Sequence, residues 1–152
     1  MGRSLEEGLN IGHRLMATRN YHKAVQCNRL LAIRFPREPR VYMSLGQSLR
    51  HRGDHQRMAR AFRRAILLQP DAVELYYNFG NAERSFDHAN SAAFIYRRAL
   101  CLTPGRPEIE TALSLAKLQM GEWENAWQLY EKRESCREFT SQIEELGRTI
   151  WD

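Results

Sequence analysis

Three prolines, Pro36, Pro70 and Pro104, stand 34 residues apart twice over, and that spacing limits the fold more than any other feature of the chain. Moved along itself by the same interval, the sequence lays Leu45 on Phe79 and Leu113, Gly46 on Gly80, and Ala92 on Ala126. A period in the thirties is too short for a domain. It suits one helical hairpin, which cannot bury its own apolar face and must stack on copies of itself. A stack of this kind presents its chemistry on a surface shared by several units.

Cutting the 152 residues by the period gives units at 5–38, 39–72, 73–106 and 107–140, with a tail at 141–152, all within a single domain spanning 1–152. Within a unit, apolar residues recur at spacings of three and four, as in Tyr42, Leu45 and Leu49. The stripe stops at Gly53 and resumes at Met58, Phe62 and Ala65. Such spacings put side chains on one helical face and speak against strands. Breaks inside the hairpins are expected near Asn20, Gly53, Asp87 and Gly121.

Local signals agree with this division. Ser4 with Glu7 and Asp71 with Glu74 have the spacing of capping boxes. Pro39 and Pro107 suit the first turn of a helix, where the missing amide donor costs nothing. Small residues at Gly12, Gly46, Gly80 and Ser114 are expected to let paired helices approach closely, facing Leu31, Ala65 and Ala99 by repeat position.

The residues Tyr42, Leu45, Gly46, Gly53, Phe62, Ala65 and Pro70, and again Tyr76, Phe79, Gly80, Ala92, Tyr96, Ala99 and Pro104, resemble the tetratricopeptide repeat signature. The outer units depart from it. Gly8 and Asn28 replace the aromatic residues of the first, and Glu110, Ser114 and Arg133 interrupt the fourth. The resemblance implies an all-α fold, an α-solenoid of about four hairpins forming a right-handed superhelix, whose concave wall is built from the first helix of each pair. It also implies a non-catalytic protein–protein interaction module or scaffold that binds a peptide or protein segment in the concave groove.

In the tail, Ser141 with Glu144 and the apolar residues Ile143, Leu146 and Ile150 suggest a short amphipathic helix. It has two readings, a cap on the exposed edge of the last repeat or a helix that binds a partner. A second resemblance lies nearby. Gly121, Glu122, Trp123, Glu124, Trp127, Tyr130, Glu131, Arg133, Trp151 and Asp152 look like the junction where some bacterial tetratricopeptide arms meet a glycosyltransferase-like domain. That resemblance implies an alternative function, an accessory arm that recruits substrate for a glycosyltransferase-type enzyme, truncated here or acting in trans.

Family positions facing the groove recur once per repeat on the first helix. They give Asn10, Ser44, Asn78 and Ala112 in one ladder, His13, Gln47, Asn81 and Leu115 in a second, Met16, Arg50, Arg84 and Leu118 in a third, and Leu9, Met43, Tyr77 and Thr111 in a fourth. Carboxamides offer donors and an acceptor together, so Gln47, Asn78 and Asn81 suit the main chain of an extended peptide. Arg50 and Arg84 suit a carboxylate, bidentately held. The expected partner is accordingly a protein or peptide, with an acidic or C-terminal segment as the finer reading, and self-association stays open. The alternative is that both arginines are merely solvated, or neutralised by Glu6, Glu74 or Glu83. Chaperone-binding members of the family carry a lysine and asparagine clamp. Leu9, Met43 and Tyr77 stand where its first lysine would be, so the resemblance does not extend to that role.

Of the 23 basic residues only Lys23, Lys117 and Lys132 are lysines, and the net charge is +5. The arginine excess reads either as phosphate or carboxylate recognition or as codon composition. Arg57, Arg60, Arg63, Arg64, Arg97 and Arg98 could form an RNA-binding stripe, the third functional reading. Acidic residues are interspersed and the aromatic residues occupy core positions, so a solvated outer face is expected and nucleic acid is not. Neither His51 with His55, which straddle Gly53, nor the three cysteines, Cys27, Cys101 and Cys136, have metal-ligand spacing. There is no phosphate loop or catalytic triad pattern, so no cofactor, metal or enzymatic activity is expected. Charged residues at Arg3, Glu6 and Glu7 without an apolar stretch, and the lack of any apolar run of membrane-spanning length, point to a cytoplasmic location without membrane insertion.

Overall fold

The structure, a computed structural model, describes residues 4–123 and Ala126. Among the described residues seven helices follow one another: α1 (Leu5–Ala17), α2 (Tyr21–Arg34), α3 (Pro39–Arg52), α4 (His55–Leu68), α5 (Val73–Arg84), α6 (Ala89–Leu102) and α7 (Pro107–Gln119). The fold is an all-α helical repeat. The proposed tail helix, Arg133 and the residues suggesting a glycosyltransferase junction beyond Trp123 lie outside the described residues.

The caps show how local sequence sets each start. Ser4 accepts from the Glu7 amide at 3.3 Å, while Glu7 accepts from the Ser4 amide at 3.1 Å, completing the expected capping box of α1. Asn20 and Asp54 cap α2 and α4 in the same way, accepting from Lys23 and Arg57 amides. Pro39 and Pro107 open α3 and α7. The second expected box is absent. Ala72, not Asp71, is the N-cap of α5, which places Glu74 one position short of the reach a box requires. The repeat register fixes Val73 as the first helical residue, level with Pro39 and Pro107, and overrides the local signal.

The turns inside the hairpins also obey the period. Arg19, Gly53, Asp87 and Gly121 occupy equivalent positions, and each has a left-handed φ, between 57° and 80°. Glycine tolerates this without Cβ strain, whereas Arg19 and Asp87 carry a cost of about 1 kcal/mol each. The expected breaks therefore fall where the sequence put them, with Asn20 displaced by one residue to serve as a cap.

Close helix approach occurs, but against different partners from those expected. A Cβ on Gly12 would meet the Asn28 carboxamide, one on Gly46 would meet the Phe62 ring, and one on Gly80 would meet Tyr96. Leu31 is approached by Gly8 instead of Gly12. The correction has a physical cause. The large ring, not the alanine one turn later, fills the gap that the missing Cβ leaves, and so Gly46–Phe62 and Gly80–Tyr96 are knob-and-socket pairs. Tyr42 and Tyr76 reinforce the scheme by donating their hydroxyls to the Pro36 and Pro70 carbonyls, at 3.2 and 2.8 Å.

Asn28 stands at the repeat position of Phe62 and Tyr96, and it divides the interior. It is fully buried, and its Nδ2 donates to the Ser44 carbonyl and the Ser48 hydroxyl at 3.2 and 2.8 Å. The apolar residues Leu9, Leu31 and Val41 form a small cluster of their own. The main core runs from Val25 through Phe62, Phe79 and Tyr96 to Ala116, with Phe62 and Phe79 stacked at 5.3 Å across two hairpins. The first helices approach in sequence, α1 with α3, α3 with α5 and α5 with α7, whereas among the described residues the backbones of α2, α4 and α6 stay farther apart. The stack is therefore tighter on its first-helix side. No described helix is long and apolar enough to cross a membrane.

Candidate functional site

Successive first helices carry the sequence-derived positions onto one wall. Two adjoining depressions are sunk into it, of about 370 and 500 Å³. Gln47, Arg50 and Asn78 line the first, and Arg50, Asn78, Asn81 and Arg84 line the second. The interval of 34 residues thus brings Arg50 of α3 and Arg84 of α5 to the same hollow.

The remaining sequence-derived positions lie elsewhere. Asn10 and His13 are exposed on α1 and border neither depression. Met43 and Tyr77 are half-buried against the main core. Met16, a rung of the same ladder as Arg50 and Arg84, borders the first depression, whereas sequence reasoning missed His51, Ser85 and Phe86, which also line the walls. Ser85 and Phe86 lie past the end of α5, where a ladder drawn along the helix has no rung. His51 follows Arg50, and its ring stacks on Tyr21 at 4.9 Å. Burial, with the neighbouring Arg50 charge second, holds its pKa below the ordinary value.

The carboxamides are partly committed. Gln47 Nε2 donates to Asn78 Oδ1 at 3.4 Å, and Asn78 Nδ2 donates to the Glu74 carbonyl at 2.9 Å. Asn81 Oδ1 accepts from the Tyr96 hydroxyl at 2.8 Å. The Gln47 carbonyl and the Asn81 amide nitrogen retain capacity for a ligand. Tyr96 is wholly buried, and burial pushes its pKa up to about 12 against partial opposition from the Arg84 guanidinium.

The alternative reading, local neutralisation of the arginines by Glu6, Glu74 or Glu83, is not seen among the described residues. Glu6 pairs with Arg40 at 2.9 Å, Glu74 with Arg106 at 3.5 Å, and Glu83 contacts His55 and His88. Within the described residues no carboxylate lies within 4.0 Å of Arg50 or Arg84, and the buried Nε of Arg84 has no hydrogen-bond acceptor. The hollow therefore offers two guanidinium groups and spare carboxamide capacity, a donor-rich surface matched to carboxylates and peptide carbonyls.

The second-helix arginines behave differently. Arg57, Arg60, Arg63 and Arg64 are all exposed, Arg57 pairs with Asp54 at 3.6 Å, and Arg64 sits 5.9 Å over the Tyr42 ring. Arg57, Arg60 and Arg64 rim a depression of about 360 Å³ floored by Val25, Leu45 and Leu49.

Comparison with known proteins bears on this geometry. A family model described as Tetratricopeptide repeat matches residues 39–72. No curated protein matches the chain. The fold resembles that in a crystal structure of MamA, with a TM-score of 0.77, 20% identity, and 91% of this chain and 81% of that one covered. PilF of Pseudomonas aeruginosa gives a TM-score of 0.77 at 17% identity, covering 88% of this chain and 61% of that one. The first TPR of Spaghetti (RPAP3), bound to the HSP90 peptide SRMEEVD, gives 0.68 at 16% identity, covering 77% and 93%. Residues 39–72 match the tetratricopeptide repeat model, and the stacked hairpins share the fold of the MamA and PilF structures.

Proposed function

We propose that the chain is a non-catalytic interaction module whose first-helix wall grips an extended, carboxylate-bearing peptide, an acidic or C-terminal segment of a partner protein. The observation that carries this reading is the convergence of Arg50 and Arg84 on one hollow with no carboxylate of the described residues within 4.0 Å of either. Guanidinium groups so placed meet carboxylates in bidentate, charge-assisted hydrogen bonds. The Gln47 carbonyl and the Asn81 amide nitrogen flank them and suit the peptide main chain. A neighbour of the same fold holds SRMEEVD, a peptide rich in carboxylates. In the present chain Leu9 is buried and Met43 and Tyr77 pack on the core, so the anchoring cations of this reading are Arg50 and Arg84.

The test is a selection of peptides from a random library with free C-termini, followed by titration against wild type and the Arg50→Ala, Arg84→Ala double variant. Each charge-assisted bond is worth about 1.5–3 kcal/mol, so losing two weakens binding at least a hundredfold. Acidic or C-terminal sequences should dominate the selection, and amidating their C-termini should separate the two forms of the reading. Selected peptides that bind the double variant as tightly as wild type would refute it.

A further inference from the structure

A second cluster lies where the second and third hairpins meet. His55 is the first residue of α4, Glu83 lies at the end of α5, and His88 is the N-cap of α6. His55 Nε2 is 3.0 Å from Glu83 Oε1, His88 Nδ1 is 3.3 Å from Glu83 Oε2, and the two ring nitrogens are 2.9 Å apart. The Glu83 side chain is only 4% exposed, against 31% for His55 and 48% for His88. Phe86 packs edge-on against His55 at 5.1 Å.

With Glu83 ionised, hydrogen bonding alone cannot satisfy all three contacts. Each facing ring nitrogen carries at most one hydrogen. If both hydrogens point at the carboxylate, two N–H groups oppose each other across 2.9 Å. If one points at the other ring, a nitrogen lone pair faces a carboxylate oxygen at 3.0 or 3.3 Å. A cation at the centre turns every lone pair into a ligand and removes the conflict. It also compensates a buried carboxylate, which is costly without a partner.

The separations fit such an ion. Bonds of about 2.0–2.1 Å to nitrogen and oxygen put neighbouring ligand atoms roughly 2.9 Å apart in an octahedral arrangement and roughly 3.4 Å apart in a tetrahedral one. The three residues together offer His, His and Glu donors whose ligand atoms lie within 4.8 Å of one another. That donor set suits divalent ions of the zinc class better than the hard, all-oxygen-seeking Ca²⁺ and Mg²⁺.

We propose that His55, Glu83 and His88 bind a divalent transition-metal ion, of which Zn²⁺ is the representative, and that the ion clasps α4 to the α5–α6 turn. Three protein ligands leave a fourth position for water on the solvent side of His88. The proposal departs from the sequence-based expectation of no metal site. Spacing could not reveal it, because the three ligands come from two hairpins and the two histidines lie nearly one repeat apart.

The test uses the full chain, stripped with chelator and titrated with Zn²⁺ by calorimetry and with Co²⁺ by visible absorption. Wild type should take up one equivalent with micromolar or tighter affinity and give ligand-field bands with Co²⁺. His88→Asn retains a hydrogen-bonding side chain suited to an N-cap but is a poor ligand for these ions. It should melt in chelator much as wild type does, yet bind at least tenfold more weakly and lose the Co²⁺ bands. His22→Asn, which alters an exposed histidine outside the cluster, should bind as wild type. Absence of stoichiometric uptake by wild type, or unchanged affinity and spectrum in His88→Asn, overturns the proposal.

Discussion

Replacing Gly80 by Ala tests whether a ring seated in a glycine socket governs the approach of α5 and α6. A Cβ at this position would stand 2.7 Å from Tyr96 Cδ1 and 2.9 Å from Cζ, and closer still to Cε1. Carbon atoms in ordinary contact are about 3.5–4.0 Å apart, so the ring must retreat by roughly 1 Å. It has little room to do so. Tyr96 is fully buried, and its hydroxyl is tied to Asn81 at 2.8 Å, on the residue that follows Gly80. Overpacking of this sort costs about 1–3 kcal/mol, and contact with three ring atoms of an anchored side chain belongs at the upper end. Helix propensity opposes this by about 1 kcal/mol in favour of Ala. The net expectation is a loss of about 2 kcal/mol, or about 4–8 °C in thermal midpoint for a chain of this length. Repeat arrays need not unfold in one step, so thermal unfolding should be accompanied by hydrogen exchange across α5 and α6. In a Tyr96→Leu background the clash disappears, and the same Gly80→Ala change should become neutral or stabilising. A variant at least as stable as wild type, or an undiminished loss in the Leu background, refutes the reasoning.

Tyr96→Phe should alter the alkaline limb of the stability curve. A hydroxyl pushed up to about 12 from an ordinary 10.0 keeps its proton in the fold at pH values where the unfolded chain has lost it. Its contribution is thus fully present below pH 10 and lost as the pH rises from 10 to 12, by roughly 2–3 kcal/mol. Urea unfolding of wild type and Tyr96→Phe at pH 8 and 11 should show the gap between them moving against wild type; an unchanged gap rejects the assignment. Ser4→Ala removes one half of the α1 capping box and should cost about 1 kcal/mol. Because hairpins couple chiefly to their neighbours, faster amide exchange should be concentrated in α1 and α2, and equal acceleration in α6 would contradict that locality.

Much of the fold was legible because a repeat states the same physical requirement several times. Pro36, Pro70 and Pro104 mark the intervals, and the four left-handed turns at Arg19, Gly53, Asp87 and Gly121 keep the same period even where the residue is unsuited to it. The Ser4 box was legible for a different reason, since its two hydrogen bonds involve only residues three apart. The Asp71 box failed although its spacing was right. Stacking fixed where α5 begins, and a local preference of about 1 kcal/mol yields to that.

The candidate site divides along the same line. The family resemblance chose the groove-facing positions, and periodicity paired Arg50 with Arg84, because residues at equal repeat positions on successive first helices must be neighbours when those helices touch. Which carboxylates would neutralise the arginines, which carboxamide atoms remained available, and the meeting of His55, Glu83 and His88 were decided only in three dimensions. Those outcomes depend on distances of a few ångströms between side chains of different hairpins. The amino-acid order sets the period of such contacts, and the packing of rings such as Tyr96 against glycines such as Gly80 sets their reach.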